Sequence, residues 1–132
     1  MNADILVDSP VYIGLMREGK DPRQVLAPWL RAGRLYNCGV VRAEVLRGMR
    51  EEKRYAQMEQ FFDITPEVPT DPKAWRKASE IGWTHRRKGK WPPLTDIVIA
   101  ACALRLGLTL VSPDKHFLDI PSLLVVPDLS HL

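Results

Sequence analysis

Four short strand-like runs are spaced along the chain: ILV at 5–7, LYNC at 35–38, LTLVS at 108–112 and LLVV at 123–126. Between them lie stretches with the apolar spacing and punctuation of helices. This alternation restricts the fold more than any other feature. Parallel neighbours in a sheet need a crossover connection, usually a helix, and such crossovers are almost always right-handed. The pattern therefore predicts a parallel sheet covered on both faces, an α/β domain of three layers. With 132 residues, 45% of them hydrophobic, the chain has material for one core and little for a second, so residues 1–132 are expected to form a single domain.

The helix starts share one grammar. Asp8-Ser9-Pro10, Asp21-Pro22 and Asp71-Pro72 each set a capping side chain before a proline. At the first of these Ser9 is the expected cap and Pro10 the first helical residue. Pro28 is expected to kink or shorten the second helix. VVRAEVLRGM and EKRYAQMEQFF read as further helices, ITPEV as a short edge strand and DKHF as a tight turn or single helical turn. DIVIAACALRL is apolar almost all round, which predicts a buried helix, with Thr95 able to cap it and Gly107 to stop it.

Charge is informative through its placement. The whole chain carries a formal +3, whereas between Arg76 and Lys90 six basic residues face the single acid Glu80. Arg86, Arg87, Lys88 and Lys90, followed by Trp91 for base stacking, form a candidate patch for RNA; a solvated helix face is the competing reading. Cys38 and Cys102 lie at no ligand or disulfide spacing and read as small buried hydrophobes. Trp29, Trp75 and Trp83 are expected in the core or at an interface. No apolar run approaches the roughly 18 residues of a membrane span. The N-terminal MNADILVDS carries acids where a signal peptide carries basic residues. A soluble cytoplasmic protein with no membrane association is the expectation.

Open parallel sheets bind ligands beyond the carboxyl ends of their strands, so the polar residues there are the candidates for chemistry. Asp8 follows the first run and Asp114 follows LTLVS; taken singly, a cap and a turn former explain them. Asp96 opens the apolar helix behind Thr95, which leaves its carboxylate free of the capping role, although the helix dipole also favours an acid there. Glu44 lies beside the apolar stripe of its helix. If these four acids converge they cannot all stay ionised without cations, and Mg²⁺ or Mn²⁺, hard ions that take carboxylate oxygens, would resolve the conflict.

ILVDSPVYI, VVRAEVLRG, LTDIVIAACAL and LTLVSPDKHF, in that order, resemble the PIN-domain ribonucleases, and most nearly the VapC-type toxins of bacterial toxin-antitoxin pairs. The resemblance spans about residues 4–126, and the acid that the family places in each segment falls on Asp8, Glu44, Asp96 and Asp114. It implies an α/β/α sandwich with a mainly parallel central sheet, and an acidic pocket that binds Mg²⁺ or Mn²⁺ and hydrolyses RNA, usually tRNA or rRNA. It further implies a homodimer and a cognate antitoxin that blocks the pocket. Within this set Asp8 and Asp96 are the expected direct metal ligands. Asp114 and Glu44 are expected to bind the metal through water or to position the nucleophile. Ser9 and Ser112 can hydrogen-bond the carboxylates or a phosphate. Ser112 stands where a threonine is more usual, and His116 where some relatives have a further acid.

Three other readings compete. His85 and His116 would supply metal-free acid-base catalysis, but nothing in their spacing recommends it. A Mg-binding phosphoacceptor domain usually has adjacent acids after its first strand, whereas Asp8 is followed by Ser9. A catalytically silent PIN-fold binding module would have no need to keep all four acids.

Overall fold

The strand Ile5–Val7 (β1) lies at the centre of a parallel sheet with β2 (Leu35–Cys38), β3 (Glu67–Val68), β4 (Thr109–Val111) and β5 (Leu124–Val126), in the order β3-β2-β1-β4-β5. A computed structural model describes residues 2–132. Ile5, Leu6 and Val7 are each 0% exposed, as suits an interior strand walled in on both faces. Burying three such side chains contributes about 1.5–3 kcal/mol apiece. The sheet pairs in register, with Leu6 opposite Tyr36 on one side and Leu110 on the other.

The helices are α1 (Ser9–Arg17), α2 (Pro22–Val25), α3 (Ala27–Arg31), α4 (Gly39–Arg47), α5 (Glu52–Ile64), α6 (Pro72–Arg87) and α7 (Leu94–Leu106). One layer packs α1 on α4 and α4 on α5, and α6 packs on α7 in the other, giving the three-layer α/β/α sandwich. The connections after β1 and β2 step outward to β3; α6 and α7 then carry the chain back past both to β4. The direction of strand order therefore reverses between β1 and β4, and the crevice at such a reversal is where open α/β sheets hold ligands.

Local sequence explains most boundaries. LYNC is β2 residue for residue, and ITPEV supplies β3 at the sheet edge. The helix expected after Asp21 is divided at Leu26 into α2 and α3, since Pro28 has no N–H to continue the ladder. Helix α7 buries Ile97 through Ala103 without a break. Gly107 closes it at φ 64°, a left-handed conformation open to glycine, and the Leu108 N–H then donates to the Ala103 carbonyl. That bond delays β4 by one residue relative to LTLVS.

Of the three tryptophans expected in the core or at an interface, Trp75 and Trp83 are 49% and 63% exposed and so lie outside the core of the chain. Helix α6 buries Ala74, Ala78, Ile81 and His85, a stripe at helical spacing that leaves both indoles on other faces. The stripe is made mostly of small residues, so α7 comes close: a Cβ on Gly82 would lie 3.4 Å from Ile97 Cδ1. Trp29 is half-buried against the core.

Candidate active site

The acidic pocket is assembled at the switch between β1 and β4. Asp8 continues the β1 ladder, its N–H donating to the Val111 carbonyl, and its side chain is 2% exposed. The Asp8 carboxylate accepts the Ser9 N–H at Oδ1 (2.8 Å) and the Ser112 hydroxyl at Oδ2 (2.8 Å). Asp8 is thus the cap of α1, in place of Ser9. The Ser9 hydroxyl is directed elsewhere, donating to Glu44 Oε1 on α4 at 3.1 Å.

Ser112 joins two of the acids. Its oxygen donates to Asp8 and accepts the Asp114 N–H at 3.1 Å, so a single hydroxyl fixes the ends of β1 and β4 relative to each other. Asp114 begins a 3₁₀ turn over Lys115–Phe117 and accepts the His116 N–H at Oδ1 (2.9 Å). Phe117, at 0% exposure, anchors that turn in the core. Asp96 enters from the first turn of α7. The helix starts at Leu94 after Pro93 and has no side-chain cap, so the expectation of Thr95 in that role is corrected. His116 Nδ1 lies 3.0 Å from Asp96 Oδ2 and 3.1 Å from Asp114 Oδ1, bridging the two carboxylates.

The electrostatics follow from this crowding. Burial pushes the Asp8 carboxyl up to about 6, against the lowering effect of the Ser112 and Ser9 hydrogen bonds, and the nearby Asp96 and Glu44 raise it further. Burial is also the main cause holding Asp96 above its ordinary value, with Asp114 adding to it. His116 is raised, first by its hydrogen bond to Asp96. One ligand atom from each of Asp96, Asp114 and His116 falls within 4.8 Å of the others. Carboxylate oxygens that are dehydrated, mutually repelling and convergent make a donor set that suits a hard divalent cation.

A model of the PIN domain family matches residues 5–123. The chain is a PIN domain. Solved structures share its fold. A DNA-bound VapBC from Salmonella typhimurium superposes with a TM-score of 0.77 at 21% identity, over 94% of this chain and 97% of that one. VapBC2 from Rickettsia felis, bound to a DNA fragment from their promoter, gives 0.76 at 18% identity over 92% and 96%. VapC20 from Mycobacterium tuberculosis, a sarcin-ricin loop cleaving toxin, gives 0.59 at 18% identity over 90% and 98%. At these identities the likeness is one of fold. No curated protein matches this sequence.

The basic stretch of this PIN domain lies at the end of α6 and in the loop leading to α7. Arg86, Arg87, Lys88, Lys90 and Trp91 are all exposed. They are not free of each other: the Arg86 guanidinium stacks 4.9 Å from the Trp91 ring centre, and Arg87 4.8 Å from that of Trp83. Lys90 Nζ pairs with Asp119 at 2.6 Å, which ties the loop to the segment that follows the His116 turn. One face of Trp91 is therefore already covered by a cation.

Of the two histidines considered for acid-base catalysis, His85 is buried, with Nδ1 2.9 Å from the Ile81 carbonyl, and offers no imidazole at the surface. His116 is the site residue that reading the sequence undervalued. Its signal was its position two residues after Asp114 in a turn, a spacing that returns the ring toward the preceding carboxylate.

Proposed function

We propose that this PIN domain is a metal-dependent endoribonuclease, hydrolysing RNA phosphodiester bonds with Mg²⁺ or Mn²⁺ and acting as the toxin of a type II toxin-antitoxin pair. One observation carries the reading: acids from four separate segments, Asp8, Glu44, Asp96 and Asp114, meet at the switch point through Ser9, Ser112 and His116. The fold likeness to VapBC complexes supports a cognate antitoxin that blocks the pocket, and the reading carries with it a homodimer, a tRNA or rRNA substrate and a cytoplasmic location. Among the described residues no helix is long and apolar enough to cross a membrane.

Asp8, Asp96 and Asp114 are the residues that would hold the cation. Bound there, it supplies Lewis acidity toward a phosphate oxygen and a water of lowered pKa. The chain's own groups set the rest. Ser112 and the Ser9 N–H fix the Asp8 carboxylate so that its charge needs no reorganisation during reaction. Glu44, held at Oε1 by the Ser9 hydroxyl, would use its carboxylate to orient the attacking water. Water attacks in place of the RNA 2′-hydroxyl, so the products carry 5′-phosphate ends. Arg86, Arg87 and Lys88 offset the repulsion between an acidic pocket and a polyanion.

The test is to incubate the protein, freed of antitoxin, with mixed cellular RNA in Mg²⁺, Mn²⁺ or chelator, with Asp8→Asn in parallel, and to map the cut ends. Metal-dependent cuts with 5′-phosphates that vanish in the variant are expected. Chelator-resistant cutting, or cutting that survives in Asp8→Asn, would overturn the assignment.

A further inference from the structure

We propose that the His116 imidazole is a direct ligand of the cation held by Asp96 and Asp114, and that this mixed nitrogen and oxygen set makes the site favour Mn²⁺ over Mg²⁺. The inference rests on the reading of the acidic pocket as a cation site and adds to it the donor that decides between the two ions.

The geometry carries it. Nδ1 lies 3.0 Å from Asp96 Oδ2 and 3.1 Å from Asp114 Oδ1. Adjacent ligands around an octahedral ion with bonds of about 2.1 Å stand about 3.0 Å apart, so the nitrogen sits at the spacing of a third ligand. The ring does not reach this place by chance orientation of a long side chain. The His116 N–H donates to Asp114 Oδ1, the turn is pinned by buried Phe117, and the Asp114 N–H is held by Ser112. Strand end, turn and ring therefore form one built unit facing Asp96 across the pocket.

Two aligned carboxylates need positive charge or a donor hydrogen between them. Without a cation, the Nδ1 hydrogen fills that place; with one, the same nitrogen presents its lone pair. Imidazole nitrogen suits first-row transition ions, whereas Mg²⁺ keeps its waters and takes oxygen ligands almost exclusively. A single nitrogen in an otherwise carboxylate site is thus a selectivity element. The opposite role is equally concrete: a histidine that merely plugs the pocket would compete with every cation, and its removal would tighten binding.

The experiment uses the full chain stripped of metal by chelation. Mn²⁺ and Mg²⁺ are titrated separately by calorimetry into wild type, His116→Ala and Asp96→Asn, and bound Mn²⁺ in the wild type is examined by electron spin echo for modulation from a coordinated ¹⁴N. Wild type is expected to bind Mn²⁺ more tightly than Mg²⁺ and to show the nitrogen modulation. His116→Ala should weaken Mn²⁺ by at least the roughly 10- to 100-fold that even an outer-sphere partner is worth, and leave Mg²⁺ within about threefold. The spectroscopic arm needs no variant, so a folding defect in His116→Ala cannot hide the answer. Absence of ¹⁴N modulation, or Mn²⁺ binding that is unchanged or tighter in His116→Ala while Asp96→Asn abolishes it, would overturn the ligand role alone. Binding of both ions unaffected by Asp96→Asn would remove the cation site itself, and the inference with it.

Discussion

The acidic pocket and the basic end of α6 are separated by one short loop, and their charges are under opposite physical control. Asp8 is dehydrated and lies near other acids, yet both its oxygens are bonded from strand ends that cannot move independently. Arg86, Arg87, Lys88 and Lys90 are exposed and screened by solvent, the two arginines stacked on indoles and Lys90 in a surface pair with Asp119. The pocket stores electrostatic cost in a fixed geometry; the rim offers charge that costs the fold almost nothing. Substitutions in the first should change chemistry and stability together, and substitutions in the second should change encounter with a polyanion alone.

The largest effect is expected from Asp96→Asn. Asp96 is the acid brought by α7, whose burial from Ile97 to Ala103 fixes the backbone behind it. The variant should keep its circular dichroism and lose RNA cleavage by about 10³-fold, in the range for removing a positioned catalytic group. A loss below tenfold at saturating metal would move the chemistry away from the pocket and erase the contrast.

Stability provides the next test. Asp8 is raised from 3.8 to about 6 in the folded chain, so the native state binds its proton more tightly than the unfolded state does. Between those values stability falls as pH rises, and above about 6 the full cost, on the order of 3 kcal/mol, is present. His116 acts at higher pH with the same slope. Its raised value gives stability that is present below 6.5 and is lost as pH climbs through the folded value. With divalent ions chelated, urea melts should show wild type weakening from pH 4 to pH 6 and again above. Asp8→Asn, which imitates the protonated acid, should shrink the first step to the part that the raised Asp96 contributes and be the more stable protein at pH 7. A wild type that grows more stable over pH 4 to 6 would contradict the picture of a pocket that stores unfavourable charge.

What could be read from the sequence divides along similar lines. The sheet, the buried α7 and the break at Pro28 were legible because periodicity, apolar content and proline act locally. Three of the four proposed acids could be singled out because each follows a strand or opens a helix, and Glu44 joined them from within the helix after β2. Their bonding was not legible. Ser9 loses the capping role to Asp8 because its hydroxyl goes to Glu44, 35 positions away, and Ser112 meets Asp8 across 104 positions. Thr95 is not a cap because Pro93 lets the helix begin earlier. Trp75 and Trp83 lie outside because the α6 stripe of alanines, Ile81 and His85 is the one that packs, which hydrophobicity alone would not choose. His116 acquires its place only when α7 sets Asp96 opposite the turn.

On the basic side, the double variant Arg86→Ala/Arg87→Ala should raise KM for RNA several-fold at low salt and leave the melting temperature within a degree or two. If both arginines contact phosphates of an unpaired strand, the slope of log affinity against log salt should flatten by about 1.4. An unchanged slope would reduce these residues to a solvated helix face, and the rim would no longer be the counterpart of the pocket.

The smallest effect tests the rim by adding to it. Asp119→Ala releases Lys90 from a pair whose two side chains are 49% and 57% exposed. Such a bridge is worth about 0–1 kcal/mol, so stability should barely change. The rim would gain one net positive charge beside the turn that carries His116. KM should therefore fall by about twofold at low ionic strength, and the gain should vanish once the Debye length drops to about 3 Å in 1 M salt. If KM rises instead, the pair serves to hold the α6–α7 loop in place for RNA. The rim would then owe its function to geometry, as the pocket does, and the distinction between the two regions would narrow to burial alone.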